Sequence, residues 1–157
     1  MSLPVLYIDA DACPVKEEAE RVAARHGLKT VLVSDGGIRP RPDPMVEVVV
    51  VPSGPDAADN WIAEHIGPAD ICVTNDIPLA ARCLEKDAFA IKPNGDAFTT
   101  QGIGMALATR ELMQGLRETG AITGGPRPFS KSDRSAFLNK LEVIVQAARR
   151  KAGSMGA

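Results

Sequence analysis

The sequence predicts an α/β domain built on a mainly parallel sheet, and three observations carry that prediction. Short apolar runs rich in Val, Ile and Leu alternate along the chain with segments of helical periodicity, an order that places helices on the faces of a parallel sheet. The runs are apolar throughout instead of at every second residue, as in strands covered on both faces. Gly, Pro, Asn and Asp cluster between them and mark the turns. A chain of 157 residues is the length of one domain with a single sizeable core.

Residues 3–8 are the first strand. Residues 14–26 form the first helix: Pro14 suits a first turn, Val15, Ala19, Val22 and Ala23 line one face, and Gly27 ends it. Residues 28–34 are the second strand, closed by Asp35-Gly36-Gly37. Three prolines alternate with polar residues across 38–44, which predicts a mobile or extended surface loop. The β-branched run 46–51 is the third strand. Pro52-Ser53-Gly54-Pro55 then turns into a helix reaching Ile66, with Ser53 or Asp56 as N-cap. Residues 69–74 are the fourth strand. Asn75-Asp76 caps the helix over 77–86, with Pro78 in its first turn, and 88–91 are a short fifth strand.

After a turn at 92–96, residues 102–119 have helical spacing with Ile103, Ala106, Leu107, Leu112 and Leu116 as apolar positions. A Gly/Pro-rich connection over 120–129 leads to the last helix, 130–151. There Phe137, Leu138, Leu141, Ile144 and Val145 recur at three and four, and Ser130 or Ser132 is the cap. One domain spans 1–151, followed by a frayed tail over 152–157. No internal repeat is visible.

Hydrophobic content of 45% and charged content of 24% are those of a soluble globular protein, and 4% aromatics imply a core of Val, Ile, Leu and Ala. No apolar run approaches the roughly 20 residues of a membrane helix, and the N-terminus lacks a signal-peptide pattern. Cys13, Cys72 and Cys83 are an odd number without metal-ligand spacing, which fits a reducing cytoplasm. A net charge of −2 sets the chain apart from overtly basic nucleic-acid binders. Its distribution is uneven: residues 127–157 hold seven Lys/Arg against Asp133 and Glu142, a net of +5, while the first 126 residues carry −7. Metal-binding and phosphate-binding charge would then lie side by side, or the basic segment is a solvated helix face. A homo-oligomer is left open.

The chemistry centres on Val5-Leu6-Tyr7-Ile8-Asp9-Ala10-Asp11-Ala12-Cys13-Pro14. An apolar strand ends in two carboxylates one residue apart, which share a face if the chain stays extended. Like charges that close call for a cation between them. Two further acidic groups fall on the same rim of a parallel sheet, where ligands bind: Asp56 and Asp59 at the start of the second helix, and Asp76 after the fourth strand. Converging carboxylates with few His or Cys favour Mg²⁺ or Mn²⁺. Such an ion activates water and neutralises phosphate charge. Lys16 is placed to reach a phosphate or to pair with Asp11, and Lys131 and Arg134 to hold a phosphate at the start of the last helix. Each aspartate also has a plain structural reading, Asp76 as a helix cap and Asp56 as a first-turn residue. His26 and His65 read as residues at helix C-terminal ends. Cys13 as a nucleophile lacks a histidine nearby in sequence to activate it.

Asp-Ala-Asp-Ala-Cys-Pro-Val-Lys (9–16), Gly-Pro-Asp-Ala-Ala-Asp (54–59), Thr-Asn-Asp-Ile-Pro-Leu-Ala (74–80) and Lys-Ser-Asp-Arg-Ser-Ala-Phe (131–137) resemble the signatures of the YaiI/YqxD family of uncharacterised bacterial proteins, over residues 4–150. That family is regarded as having a PIN-like domain. The resemblance implies a three-layer α/β/α sandwich around a five-stranded sheet of order 3-2-1-4-5, with an acidic metal site at its carboxyl rim. PIN domains are commonly Mg²⁺- or Mn²⁺-dependent nucleases, RNA being the favoured substrate. Carried over, Asp9 and Asp76 match the aspartates after the first and fourth strands, and Asp59, less securely Asp56, the acidic place on the intervening helix. Asp11 is a feature of this family rather than of PIN domains at large. The further acidic residue often found after the position of Asp76 has no counterpart here.

Two other readings start from the same residues. Asp-x-Asp after an apolar strand also opens haloacid-dehalogenase-type phosphatases, with Asp9 as nucleophile and Asp11 as general acid. Their later acidic pair is missing, since only Asp96 follows Lys92 closely. A PIN-like module that only binds RNA or protein would use the basic segment 127–151 and the Arg39–Arg41 loop. Such a binder would keep phosphate-repelling carboxylates for no gain.

Overall fold

A computed structural model describes residues 3–11, 13–122 and 128–155. Ala12 of the central stretch, residues 123–127 of the Gly/Pro-rich connection with Arg127, and the last two residues of the expected tail lie outside them.

The chain runs β1 (Val5–Asp9), α1 (Lys16–Arg25), β2 (Lys29–Ser34), β3 (Val46–Val50), α2 (Ala57–His65), β4 (Ile71–Val73), α3 (Ile77–Glu85), β5 (Phe89–Ile91), α4 (Ile103–Glu118) and α5 (Lys131–Met155). The strands form one sheet of order β3-β2-β1-β4-β5, parallel at every pairing. The α/β class and the strand order are therefore as expected.

Alternation along the strands divides the core in two. Leu6, Ile8 and Leu32 pack with Val15, Val22, Phe137 and Leu141, so α1 and α5 cover one face. Tyr7, Val31 and Val33 pack with Ile62, Leu79 and Cys83, so α2 and α3 cover the other. The result is a three-layer α/β/α sandwich. No helix among the described residues is long and apolar enough to cross a membrane.

Helix ends follow local chemistry. Gly27 sits at φ +68 after α1, the left-handed geometry expected of a glycine stop. Asp76 caps α3 by accepting the Leu79 N–H at 2.8 Å, and Pro78 lies in the first turn. Ser130 Oγ accepts the Asp133 N–H while the Asp133 carboxylate accepts the Ser130 N–H, a reciprocal box that opens α5.

Several expectations are corrected. α5 continues to Met155, so most of the expected frayed tail is helix. The loop after β2 is irregular but anchored: Ile38 packs on the core, and Arg41 Nε donates to Glu20 at 2.8 Å. α4 has the expected bounds, yet none of its residues is buried. It follows the edge strand β5 and rests on α3, outside the layer that touches the sheet. Its apolar positions therefore meet little, and Met105 and Leu112 are 74% and 63% exposed.

Candidate functional site

Of the five aspartates expected at the rim, Asp9, Asp59 and Asp76 are brought together from three elements. Asp9 closes β1, Asp59 lies in the first turn of α2, and Asp76 is the N-cap of α3. Asp9 has the parity of Val5 and Tyr7, which puts it on the sheet face that α2 and α3 cover.

Thr74 organises the pair on either side of it. This buried hydroxyl donates to Asp9 Oδ2 at 2.9 Å, and its oxygen accepts the Asp76 N–H at 2.9 Å. One side chain thus fixes a carboxylate of β1 and the backbone that presents the next.

Asp59 and Asp9 each feel burial and their neighbours' charge. Asp59 is pushed up to about 7, first by burial, then by the charges of Asp76 and Asp9, a hydrogen bond to the Asp76 carboxyl, and Asp56. Asp9 is also raised, first by burial and then by Asp76 and Asp11, against the lowering effect of the Thr74 hydroxyl. The arrangement is a partly desolvated knot of negative charge with Asp59 at its centre.

Asp11 does not join it. Its carboxylate accepts from Ser34 Oγ at 2.7 Å and from the Asp35 N–H at 3.2 Å. Ser34 has the parity of Leu32, on the α1/α5 face, so Asp9 and Asp11 diverge instead of sharing a side. The reason is that β1 ends at Asp9, and the extended geometry that would have aligned them stops there. Asp56 is exposed, makes no side-chain cap bond, and is the weakest influence on Asp59.

The expected phosphate ligands are mostly engaged elsewhere. Lys16 Nζ donates to the carbonyls of Cys13 and Ala10 at 3.0 and 3.3 Å, tying the β1–α1 turn instead of pairing with Asp11. Arg134 donates to the buried Glu18 carboxylate at 2.5 Å and to the Pro14 carbonyl at 3.0 Å, clamping α5 onto α1. Lys131 is exposed at the start of α5. Burial raises the Cys13 thiol, opposing thiolate chemistry there. His26 and His65 do sit at helix ends, His26 against Glu142 and His65 stacked on Trp61 at 3.7 Å.

Among the described residues no group of three or more His, Cys, Asp or Glu side chains is arranged to hold a metal ion. The donor set is nonetheless of the right kind for a hard cation. All donors are carboxylate oxygens, and Mg²⁺ commonly takes only one or two carboxylates, completing its shell with water and substrate phosphate.

Fold and site define an all-parallel α/β domain with a cluster of aspartates on its carboxyl rim. The chain belongs to the family described as uncharacterized BCR, YaiI/YqxD, whose model matches residues 7–147. Among its relatives is a UPF0178 protein of Parvibaculum lavamentivorans, 60% identical over 146 residues, covering 93% of this chain and 96% of the relative. A UPF0178 protein of Paramagnetospirillum magneticum is 56% identical over 92% of this chain and 96% of its own length. Another, from Cereibacter sphaeroides, is 57% identical over 96% and 94%. No solved structure matches the chain.

Proposed function

We propose that this protein is a Mg²⁺- or Mn²⁺-dependent phosphodiesterase acting on nucleic acid, RNA in preference to DNA, in the cytoplasm. The observation that carries the reading is the convergence of Asp9, Asp59 and Asp76, from three elements, with Asp59 raised to about 7 by its neighbours. A carboxyl cluster this unfavourable in isolation is explained by a cation it is built to receive. The resemblance to PIN-like domains points the same way.

Asp59 and Asp76, with Asp9 held by Thr74, would hold the ion, and Asp56 would reinforce the charge from the mouth. The ion would neutralise phosphate charge and activate a water. Thr74 keeps the Asp9 carboxylate from turning away, so the site needs little reorganisation when substrate arrives. The divergence of Asp11 weighs against the phosphatase reading, which needs it beside Asp9 as general acid.

The test is release of short products from single-stranded RNA with Mn²⁺, compared with DNA of the same length. We expect Asp9→Asn and Asp76→Asn to abolish it while both variants stay folded. Absence of turnover, together with no Mn²⁺ or Mg²⁺ binding by calorimetry, would rule the reading out.

A further inference from the structure

A second feature of the rim lies one strand over. The Thr74 N–H donates to the Ile91 carbonyl at 3.0 Å, so Lys92 leaves the sheet beside the segment that carries Asp76. Neighbouring strands are about 4.8 Å apart. There, between the turn after β5 and the first turn of α4, is a pocket of about 160 Å³ lined by Lys92, Asp96, Phe98, Thr99, Gly102 and Ile103. It is an open cleft with room for a phosphate group and its solvent.

Lys92 is held without being neutralised. Its ammonium lies over the Phe98 ring, 5.5 Å from the centroid. Among the described residues no carboxylate pairs with it, whereas Arg41, Arg134 and Lys151 each have an acidic partner. The one carboxylate in the lining, Asp96, is exposed and takes the Asn94 amide at 3.3 Å.

The turn that presents Lys92 is braced by hydrogen bonds and by contact with α5. Lys92 N–H donates to the Asp96 carbonyl at 2.8 Å, and Gly95 at φ +96 presses on α5, where a Cβ would lie 2.7 Å from the Ala136 carbonyl carbon. Thr99 Oγ1 accepts the Gly102 N–H at 2.9 Å, which leaves its proton free to donate into the pocket. The Ile103 N–H is taken by the Thr99 carbonyl, so the charge on offer comes from Lys92 and not from the helix end.

We propose that this pocket is a phosphate subsite, with Lys92 binding the phosphodiester next to the one at the aspartates in a single-stranded nucleic acid. Phe98 is the positioning residue for the ammonium, and Thr99 a hydroxyl donor. The subsite rests on the reading above for the class of substrate. A fixed, unneutralised cation recovers binding energy without first giving up an internal ion pair.

The experiment follows binding of a fluorescent single-stranded oligouridylate by anisotropy, in EDTA, across a range of salt. Lys92→Ala is expected to weaken binding about tenfold and to lower the slope of log affinity against log salt by about one. Lys92→Arg should restore most of both. Phe98→Leu should weaken binding with the slope retained, because the charge remains. Unchanged affinity and slope in a Lys92→Ala protein of wild-type melting temperature overturns the subsite. So does inorganic phosphate that competes as strongly as the oligonucleotide, which would make free phosphate the ligand. With Mn²⁺ present the two proposals separate. Turnover whose KM ignores Lys92→Ala removes the subsite alone, and Lys92-dependent binding without turnover removes the nuclease alone.

Discussion

Asp59 concentrates the cost of the site. An aspartate ordinarily titrates near 3.9, and in the folded protein this carboxyl is pushed up to about 7. Between those values the folded state holds the proton more tightly than the unfolded chain. The favourable contribution is complete below about pH 4 and is lost as pH rises towards 7. In EDTA at pH 7.5, Asp59→Asn should therefore raise Tm by about 2–4 °C, some 1 kcal/mol for a chain of this size. The small figure allows for solvent screening of a partly exposed group. At pH 4 the gain should vanish. Mn²⁺ titrated into the wild type should raise Tm with concentration, and Asp59→Asn should remove that response. Thr74 is the second test at this scale. Thr74→Val keeps the shape but leaves the Asp76 N–H and an Asp9 oxygen without their partner. It should cost about 1–3 kcal/mol in chemical denaturation and reduce turnover.

The aspartates were legible as candidates because each falls where a parallel sheet presents strand ends. Which of them meet was not legible. Asp11 lies two residues beyond the end of β1 at Asp9, and that end depends on β2 and β4 pairing with β1 as far as Asp9 and Ile8. Lys92 gave a weak signal, a basic residue after a short strand, and its pocket appears only once α4 folds back beside it.

Among the elements, the caps were legible and the long-range partners were not. Asp76 serves both as α3 cap and as carboxylate of the site, and substitution separates the roles. Asp76→Asn keeps a capping side chain, whereas Asp76→Ala should cost about a further 1 kcal/mol, seen as a lower denaturation midpoint. Both should be equally inactive if the charge is what turnover needs. Arg134 shows the opposite outcome, a residue expected at a phosphate that structure gives to Glu18. Arg134→Ala strands a buried carboxylate and should cost about 2 kcal/mol. Any loss of RNA binding by that variant should disappear when it is compared at equal folded fraction. On α4 the spacing specified a helix but not its cover, so Leu112→Glu should leave stability within about 0.5 kcal/mol, checked by denaturant midpoint.

For the molecule as a whole, the basic C-terminal segment shows how sequence clustering misleads. A helix of 25 residues rises about 37 Å. Its first turn meets Pro14 at the carboxyl rim, and its far end meets Asp87 and His26 at the opposite edge. The six basic residues of that segment that are described are therefore not one surface. The three cysteines are buried and unpaired. What the sequence by itself determined is the order of elements, the covered parallel sheet, the helix caps and the placing of aspartates along one rim. These follow from patterns only a few residues long, since strand, helix and cap are set by neighbours in the chain. Only the tertiary structure decided that Asp9, Asp59 and Asp76 meet while Asp11 turns to Ser34, that Arg134 is consumed by Glu18, and that Lys92 lies over Phe98 with no carboxylate partner among the described residues. Most of those outcomes depend on contacts that a short window of sequence does not span, Asp11 with Ser34 at 23 positions and Arg134 with Glu18 at 116, and local pattern carries no information about which partner wins a side chain.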